Sequence, residues 1–442
     1  MSATKELKDM ATRAMEGAIE RGVKGVRAVG YRSRNVSVTF RKGRPDKVQE
    51  STRRSLTLHL YIDGKYSACE TNDLRPDALE RFLDSSVAMT QAMTPDKYRV
   101  MPDPKLYEGR KQIDLKLFDP AVAGVTPDER NDQAKTIEGA ALEAAGDIAI
   151  SAEASYEDEE GEVYQVHSNG FEGSKKGSQF WQFAEISIRD EGDKRPSGWS
   201  MGGARMRTAL PAAEKVGVET AERAKQRLGS KKIESQKMAM IVENRTVSRL
   251  LGKLLAVTSG RALQQKRCFL EGKVGERVGS KLLTITDDPF VESGFGSKLF
   301  DGEGISAKVM PVFEKGVFKS FFIDTYYGKK LDMPPTTGSR SNIVIPPGEK
   351  SLDRLVADID KGILVRGFIG GNSNSTTGDF SLGVYGTLIE KGKLGGAVSE
   401  MNISGNHLEL WKQLVAVGND PWPYSSNLVP SLVFDDVQFS GT

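Results

Sequence analysis

Leu56-Thr57-Leu58-His59-Leu60-Tyr61-Ile62-Asp63-Gly64 alternates apolar with polar side chains and ends on a two-residue turn signal. Period two describes a strand with one buried face, and Asp-Gly accepts the left-handed backbone of a tight hairpin. Upstream, Val36, Val38 and Phe40 alternate in the same way and run into a turn at Gly43 to Pro45. Helical patterns flank these strands. Leu7, Met10, Ala11, Ala14, Met15, Ala18 and Ile19 share one face at 3.6-residue spacing, with Gly22 as the stop. Leu79, Phe82, Leu83 and Val87 form a second stripe behind Pro76. The order is helix, antiparallel strands, helix.

That order recurs. Thr126-Pro127-Asp128-Glu129 joins a capping box to a proline at the first helical position, and Ala134, Ile137, Ala141 and Leu142 carry the stripe to Gly146. Strands are expected over 148–156, 162–167 and 180–188, and a helix over 211–228. Residues 1–95 and 126–228 therefore read as a duplicated unit inside an N-terminal domain of residues 1–235. Residues 101–120, rich in proline and charge, and residues 229–235 read as linkers. The acidic run 157–160 falls between two expected strands and reads as a solvated hairpin tip.

From Lys237 the pattern changes. A short strand over 238–242 leads to a helix carrying Val247, Leu250, Leu251, Leu254 and Leu255. Strands are expected at 282–286, 305–313 and 317–325, the last two joined at Glu314-Lys315-Gly316. Ser351 caps a helix bearing Leu352, Leu355, Val356 and Ile359. A strand over 363–369, a polar loop, a hairpin turning at Lys391-Gly392-Lys393, a helix around 408–415 and a strand near 428–434 follow. Residues 236–442 read as a domain built on a large, mainly antiparallel sheet with a few helices. The fold class is α+β.

Lys plus Arg is 62 and Asp plus Glu is 60 over 442 residues, so nothing suggests a phosphate-tracking surface and no nucleic-acid partner is expected. There is no run of 18 apolar residues, and the N-terminus is polar, without an apolar leader core. No membrane span is expected, and the expected setting is cytoplasmic. Cys69 and Cys268 lie far apart, lack metal-ligand spacing and read as reduced thiols. His59, His167 and His407 are scattered and read as structural or surface residues. Zinc, calcium, phosphate-loop and serine-hydrolase motifs are missing, so no catalytic residue, metal ligand or cofactor is assigned.

The most unusual stretch is Gly370-Gly371-Asn372-Ser373-Asn374-Ser375-Thr376-Thr377-Gly378-Asp379, ten residues without a large apolar side chain between two buried strands. Asx and Ser/Thr turns would account for it as a solvated connection. As a functional loop it suits holding an extended peptide by backbone and amide contacts. Asn372, Asn374, Thr376, Thr377, Gly378 and Asp379 are then the candidate contacts, with Asp379 also able to cap the loop locally.

Thr377-Gly378-Asp379-Phe380-Ser381, Gly383, Gly386, Glu390-Lys391-Gly392, Val398-Ser399-Glu400, Ile403, Gly405-Asn406, Trp411 and Val417-Gly418-Asn419-Asp420 closely resemble the C-terminal signature of the TldD/PmbA family. Phe300-Asp301-Gly302-Glu303-Gly304, a Lys-Gly-Val hairpin and Thr325-Tyr326-Tyr327 resemble it too. The resemblance spans residues 236–442, while the N-terminal half matches in plan more than in motif.

In that family the TldD-type subunit resembles a zinc peptidase, with His-Glu-x-x-x-His on a helix and a further ligand near the C-terminus. At the matching positions this sequence has Leu251, Gly252 and Ala256, and the stretch from Val417 to Trp422 offers no cysteine. The chain thus resembles the metal-free PmbA (TldE) type. The resemblance implies a non-catalytic subunit that pairs with a zinc-bearing TldD-type chain and handles extended, unfolded peptides. The alternative it leaves is a homodimeric peptide-binding or scaffold protein. A dimer contact is expected in the C-terminal domain, with Trp411, Trp422 and Leu428 as candidate residues. The family is also linked with modulation of DNA gyrase, but the charge balance suggests no DNA contact.

Overall fold

The computed structural model describes residues 3–441. Its N-terminal part runs α1 (Ala3–Glu20), β1 (Gly25–Arg41), β2 (Arg44–Ile62), β3 (Lys65–Thr71), α2 (Pro76–Ala92), α3 (Pro127–Ala145), β4 (Ala149–His167), β5 (Glu172–Ile188), β6 (Ser197–Ala204) and α4 (Ala213–Lys225). The six strands form one sheet in the order β3-β2-β1-β4-β5-β6. Each half has the order helix, three strands, helix, and the halves meet where β1 pairs antiparallel with β4. That pairing removes the inner edge that either half-sheet would otherwise expose. Residues of even number on β1, β2 and β4 face the helices: Val26, Ala28, Leu56, Leu58 and Leu60 pack against Leu7, Ala11 and Leu83. Val38, Phe40 and Tyr156 pack against Ala134.

The acidic run is not a hairpin tip. The two strands expected over 148–156 and 162–167 are one strand, β4, which passes straight through residues 157–160 in register with β1 and β5. Alternation assigns the four acids to two faces. Asp158 points to the helical side, where it is 1% exposed and accepts both prongs of the Arg130 guanidinium from α3. Glu157 and Glu159 face the other way and accept from the Asn35 and Gln179 amides. A buried partner turns a charged run into strand.

The C-terminal part contains β7 (Gln236–Val242), α5 (Asn244–Ala256), α6 (Gly260–Gln264), β8 (Ile285–Asp288), β9 (Met310–Glu314), β10 (Val317–Phe318), α7 (Thr325–Leu331), β11 (Asn342–Val344) and α8 (Leu352–Ala357). It continues with β12 (Lys361–Ser373), β13 (Asp379–Glu390), β14 (Lys393–Asn406), α9 (His407–Leu410), β15 (Leu414–Val417), β16 (Asn427–Leu428) and β17 (Leu432–Ser440). The large sheet has the order β14-β13-β12-β7-β17-β15 and is antiparallel except where β12 pairs with β7. Asn402 also pairs with Ser440 and Ile403 with Phe439, so the sheet curls until β14 meets β17. A smaller sheet, β10-β9-β8-β11-β16, packs against the same core. The molecule is α+β. Among the described residues no helix is long and apolar enough to cross a membrane.

Several expected boundaries move. The strand expected over 305–313 is confined to Met310–Glu314, and that over 282–286 shifts to Ile285–Asp288. The strand expected over 317–325 stops after Phe318. Phe321, Phe322 and Ile323 are buried without a ladder, and the Asp324 carboxylate then caps α7 by accepting from Tyr327 N at 2.7 Å. A short apolar run does not distinguish strand from buried coil. The helix expected around 408–415 breaks after Gln413, and Leu414–Val417 pairs with β17 instead.

Trp411 was a candidate dimer contact, but it is 1% exposed and packs edge-on against Phe434 in the core. It offers no surface to a partner, because it is part of the large C-terminal core. Trp422 is half-buried, with the Arg245 guanidinium 4.1 Å from its ring, and Leu428 is half-buried in β16.

Two polar junctions tie the N-terminal sheet to the C-terminal part. In one, Glu243 accepts from Arg223 at 2.6 Å and from Arg366 at 3.2 Å, while Arg245 reaches Glu219 on α4. The other, around Arg27, forms part of the site described next.

Candidate functional site

The register of β2, β1 and β4 places His59, Arg27 and His167 side by side in one row, on the sheet face opposite the helices. Arg27 is 6% exposed, donates to Gly302 O at 2.5 Å and lies 3.7 Å from the Glu303 carboxylate. Burial, followed by the neighbouring Arg27 charge, pushes His59 down to about 4 and His167 to about 2. Both rings are therefore neutral at pH 7.

A chain of hydrogen bonds leads outward from His167. Gln165 Nε2 donates to His167 Nε2 at 2.6 Å, which places the ring proton on Nδ1, 3.0 Å from the Tyr107 hydroxyl. Tyr107 then donates to Asn169 Oδ1 at 3.1 Å, and Asn169 Nδ2 donates to Pro102 O at 2.7 Å. Burial raises Tyr107 to about 12, so its hydroxyl keeps the proton this chain requires. With both ring nitrogens occupied, His167 acts as a positioning group for the segment around Pro102 rather than as an acid or base.

This polar row lies beneath a cleft of about 910 Å³. One wall is the segment from Val100 to Leu106. The other is α7 with Met333, Pro334 and Pro335, and Asn169 and Thr325 line the floor. The Glu303 carboxylate accepts from both Thr325 N and Thr325 Oγ1 at 2.8 Å, so Arg27 and the wall helix share one acid. Burial raises the Glu303 pKa. The cleft is open and largely apolar-walled, which suits a ligand held with little side-chain demand. The sequence does not reveal it: residues 101–106 fall in the expected linker 101–120, and 325 is the end of an expected strand. The usable signals were Asp324 ahead of Thr325-Tyr326-Tyr327 as a cap, and Pro334-Pro335 after it.

The polar stretch 370–379 is shorter as a loop than expected. Residues Gly370 to Ser373 belong to β12, and the turn covers only the next five residues. Gly371 has φ +100°, and a Cβ there would lie 2.4 Å from Ser381 O, so glycine is required. Asn374 Oδ1 accepts from the amides of Thr376 and Thr377, and Thr377 Oγ1 donates to Asp379. Asn406 Nδ2 donates to Asp379 Oδ1 and to Thr377 O, both at 2.9 Å. Asp379 thus caps the turn locally. Asn372 and Thr376 are exposed and Gly378 is buried. Changing Asn374 and Thr377 together to alanine is expected to raise amide exchange at Thr376, Thr377 and Gly378 about tenfold while the global unfolding midpoint stays put. Unaltered exchange at those amides would mean that the side-chain contacts do not order the turn.

His407 sits behind this turn, 0% exposed, between the rings of Phe269 and Phe380. Its Nε2 lies 2.9 Å from Ser373 Oγ, but its Nδ1 has no partner. Burial, then the Lys253 charge, pushes its pKa down to about 4. A serine–histidine pair with no carboxylate behind it lacks the orienting group of a nucleophilic triad. On α5, Leu251 is 0% exposed in the core, Gly252 faces open space and Ala256 is exposed. Among the described residues no three His, Cys, Asp or Glu side chains converge as a metal-binding group.

Three family models match in series: PmbA/TldA metallopeptidase domain 1 over residues 26–90, the central domain over 120–228 and the C-terminal domain over 235–441. The chain belongs to the PmbA/TldD family. Metalloprotease PmbA of Escherichia coli O157:H7 is 26% identical over 420 residues, covering 94% of this chain and 92% of that one. A crystal structure from Bacteroides thetaiotaomicron, described as a candidate modulator of DNA gyrase, is 41% identical with a TM-score of 0.96 and covers 99% of this chain and 100% of that one. TldE from Thermococcus kodakarensis shares the fold, with 21% identity and a TM-score of 0.88 over 98% of this chain and all of its own. Within this PmbA/TldD chain, Thr377 and Gly378 of the turn and the segment Phe300 to Gly304 beside Arg27 fall in the family's C-terminal signature, whereas Arg27, His59 and His167 lie outside it. The structure does not bring the turn and the row together as one pocket, since the cleft is lined from 100–106 and 325–335.

Proposed function

We propose that this chain is the metal-free, PmbA-type subunit of a peptidase whose zinc is supplied by a TldD-type partner, acting on extended, unfolded peptides in the cytoplasm. In this proposal residues 1–235 and 236–442 are its two domains, and the C-terminal domain carries the subunit contact, with Trp422 and Leu428 within reach of it. One observation carries the reading. Where the family's zinc chains bear ligands on a helix, α5 offers a core leucine at 251, a bare backbone at Gly252 and a methyl group at Ala256. A catalytic zinc site requires about three converging His, Asp/Glu or Cys ligands and an open position. The name borne by the Escherichia coli relative supports a proteolytic setting. The apolar-walled cleft above Thr325 and Asn169 supports a role in holding substrate, and the exposed Asn372 at the end of β12 with Asn374, Thr376 and Thr377 of the turn offer a second line of contact.

The test is reconstitution. The chain alone is expected to leave unfolded peptides intact and to bind no stoichiometric zinc after zinc exposure and dialysis. Addition of a TldD-type partner is expected to confer cleavage that disappears when the partner's zinc ligands are changed. Cleavage by this chain alone, or one tightly held zinc per chain, would overturn the proposal. Peptide binding with no such partner in the host would favour a self-paired binding protein.

A further inference from the structure

Lys175 on β5 points to the sheet face away from the helices, toward the loop carrying Lys298 and Phe300. Its ammonium stands 4.7 Å from the centre of the Phe300 ring, and among the described residues it makes no ion pair and no hydrogen bond. The acid nearest in sequence to that ring is fully engaged. Asp301 Oδ1 accepts from the amides of Glu303 and Ile305, and Oδ2 accepts from Gly338 N and Thr337 Oγ1. The adjacent Lys298 adds positive charge while donating to Ser339 O, Ser339 Oγ and Arg340 O. Arg110 lies 5.5 Å from the same Phe300 ring and donates only to a carbonyl, Glu172 O. The Glu172 carboxylate is held by Lys8 and Tyr164. Among the described residues neither cation forms an ion pair with a carboxylate, and both lie against one aromatic ring.

Around them the surface is concave. A pocket of about 370 Å³ has Leu117, Phe118, Met206 and Phe300 among its apolar walls, and Lys175, Lys176 and Lys298 outnumber Asp114 in its lining. It abuts a second hollow of about 410 Å³ that shares Ser174, Leu299 and Phe300 and contains Arg110. Burial, then the Lys298 charge, pushes Lys175 down to about 8, and the nearby Asp301 carboxylate offsets this only in part. An apolar pocket with convergent cations at its mouth selects a ligand with one anionic end and one greasy end.

We propose that this is a binding site for a carboxylate bearing an apolar group, with the carboxylate between Lys175 and Arg110 and the apolar group against Leu117, Phe118 and Met206. Two sources share this chemistry, the C-terminal residue of a peptide and a free aliphatic acid. The site does not depend on the peptidase reading above.

The experiment is calorimetric titration of the full chain with N-acetyl-Leu-Phe, its C-terminal amide and decanoate. The acid peptide is expected to bind at least about tenfold more tightly than the amide, since its carboxylate accepts charge-assisted hydrogen bonds that the neutral amide does not. Lys175→Met should remove that preference and Lys175→Arg should retain it. In parallel, modification of Lys175 by trinitrobenzenesulfonate near pH 8 should be slowed by the acid and not by the amide. Decanoate competing with the peptide assigns the site to free acids as well, and decanoate failing to compete assigns it to peptide C-termini. Equal binding of acid and amide, or an unchanged preference in Lys175→Met, would overturn the proposal.

Discussion

Asp158→Ala is expected to destabilise the protein by about 3–5 kcal/mol, the usual result of leaving one member of a buried ion pair without its partner. Arg130 is 3% exposed and Asp158 1%, and the guanidinium meets the carboxylate through two parallel bonds. Removing the acid strands a cation between α3 and the sheet, where water cannot reach it. The penalty belongs to the stranded charge, so Arg130→Met combined with Asp158→Leu should recover most of it. Urea unfolding of the three variants against the parent decides the matter. A loss below about 1 kcal/mol in Asp158→Ala would mean that Arg130 finds another acid.

Acid is expected to unfold the protein earlier than its carboxylates alone would dictate. His167 and His407 are 2% and 0% exposed, and their folded pKa values are pushed down to about 2 and about 4. In the unfolded chain a histidine titrates near about 6.5. Above that pH both states hold a neutral ring, and stability is unaffected. Below it the unfolded state takes a proton that the folded ring refuses, so stability falls as pH falls, by about 1.4 kcal/mol per unit for each ring. The loss levels off near pH 4 for His407 and continues toward pH 2 for His167. From pH 6 to 4.5 the two together should remove about 3–4 kcal/mol. His59, also pushed down to about 4, adds a similar share, so in urea midpoints across that range His407→Phe should flatten the slope by about a third. A level profile between pH 6.5 and 5 would show that the rings protonate in place.

Much of the architecture was legible before any coordinates. The period-two run Leu56 to Ile62 specifies both a strand and the face it buries, because side chains in a strand alternate by geometry. Thr126 and Glu129 specify a helix start, and the reciprocal bonds are present at 3.2 and 2.9 Å. The motifs from Thr377 to Asp420 were enough to identify the family. These are local signals: each depends on residues within one or two turns, or on one strand and its hairpin.

The misread parts depended on distant partners. The acids at 157–160 look like a solvated tip until Arg130 supplies the charge that lets Asp158 lie in a strand. Trp411 looks like a contact residue until the large C-terminal core forms around it. His59, Arg27 and His167 carry no motif, and they become a row only when three strands pair in one register. The cleft is built from 100–106 and 325–335, and the Lys175 pocket from a linker, a strand and a loop more than 100 residues away. By itself the sequence determined the elements, their buried faces and the family, since backbone periodicity and capping act over a few residues. Only the tertiary structure decided which charges are paired, which rings stay neutral and where a ligand can sit, because burial and Coulomb interactions depend on distance in space rather than along the chain.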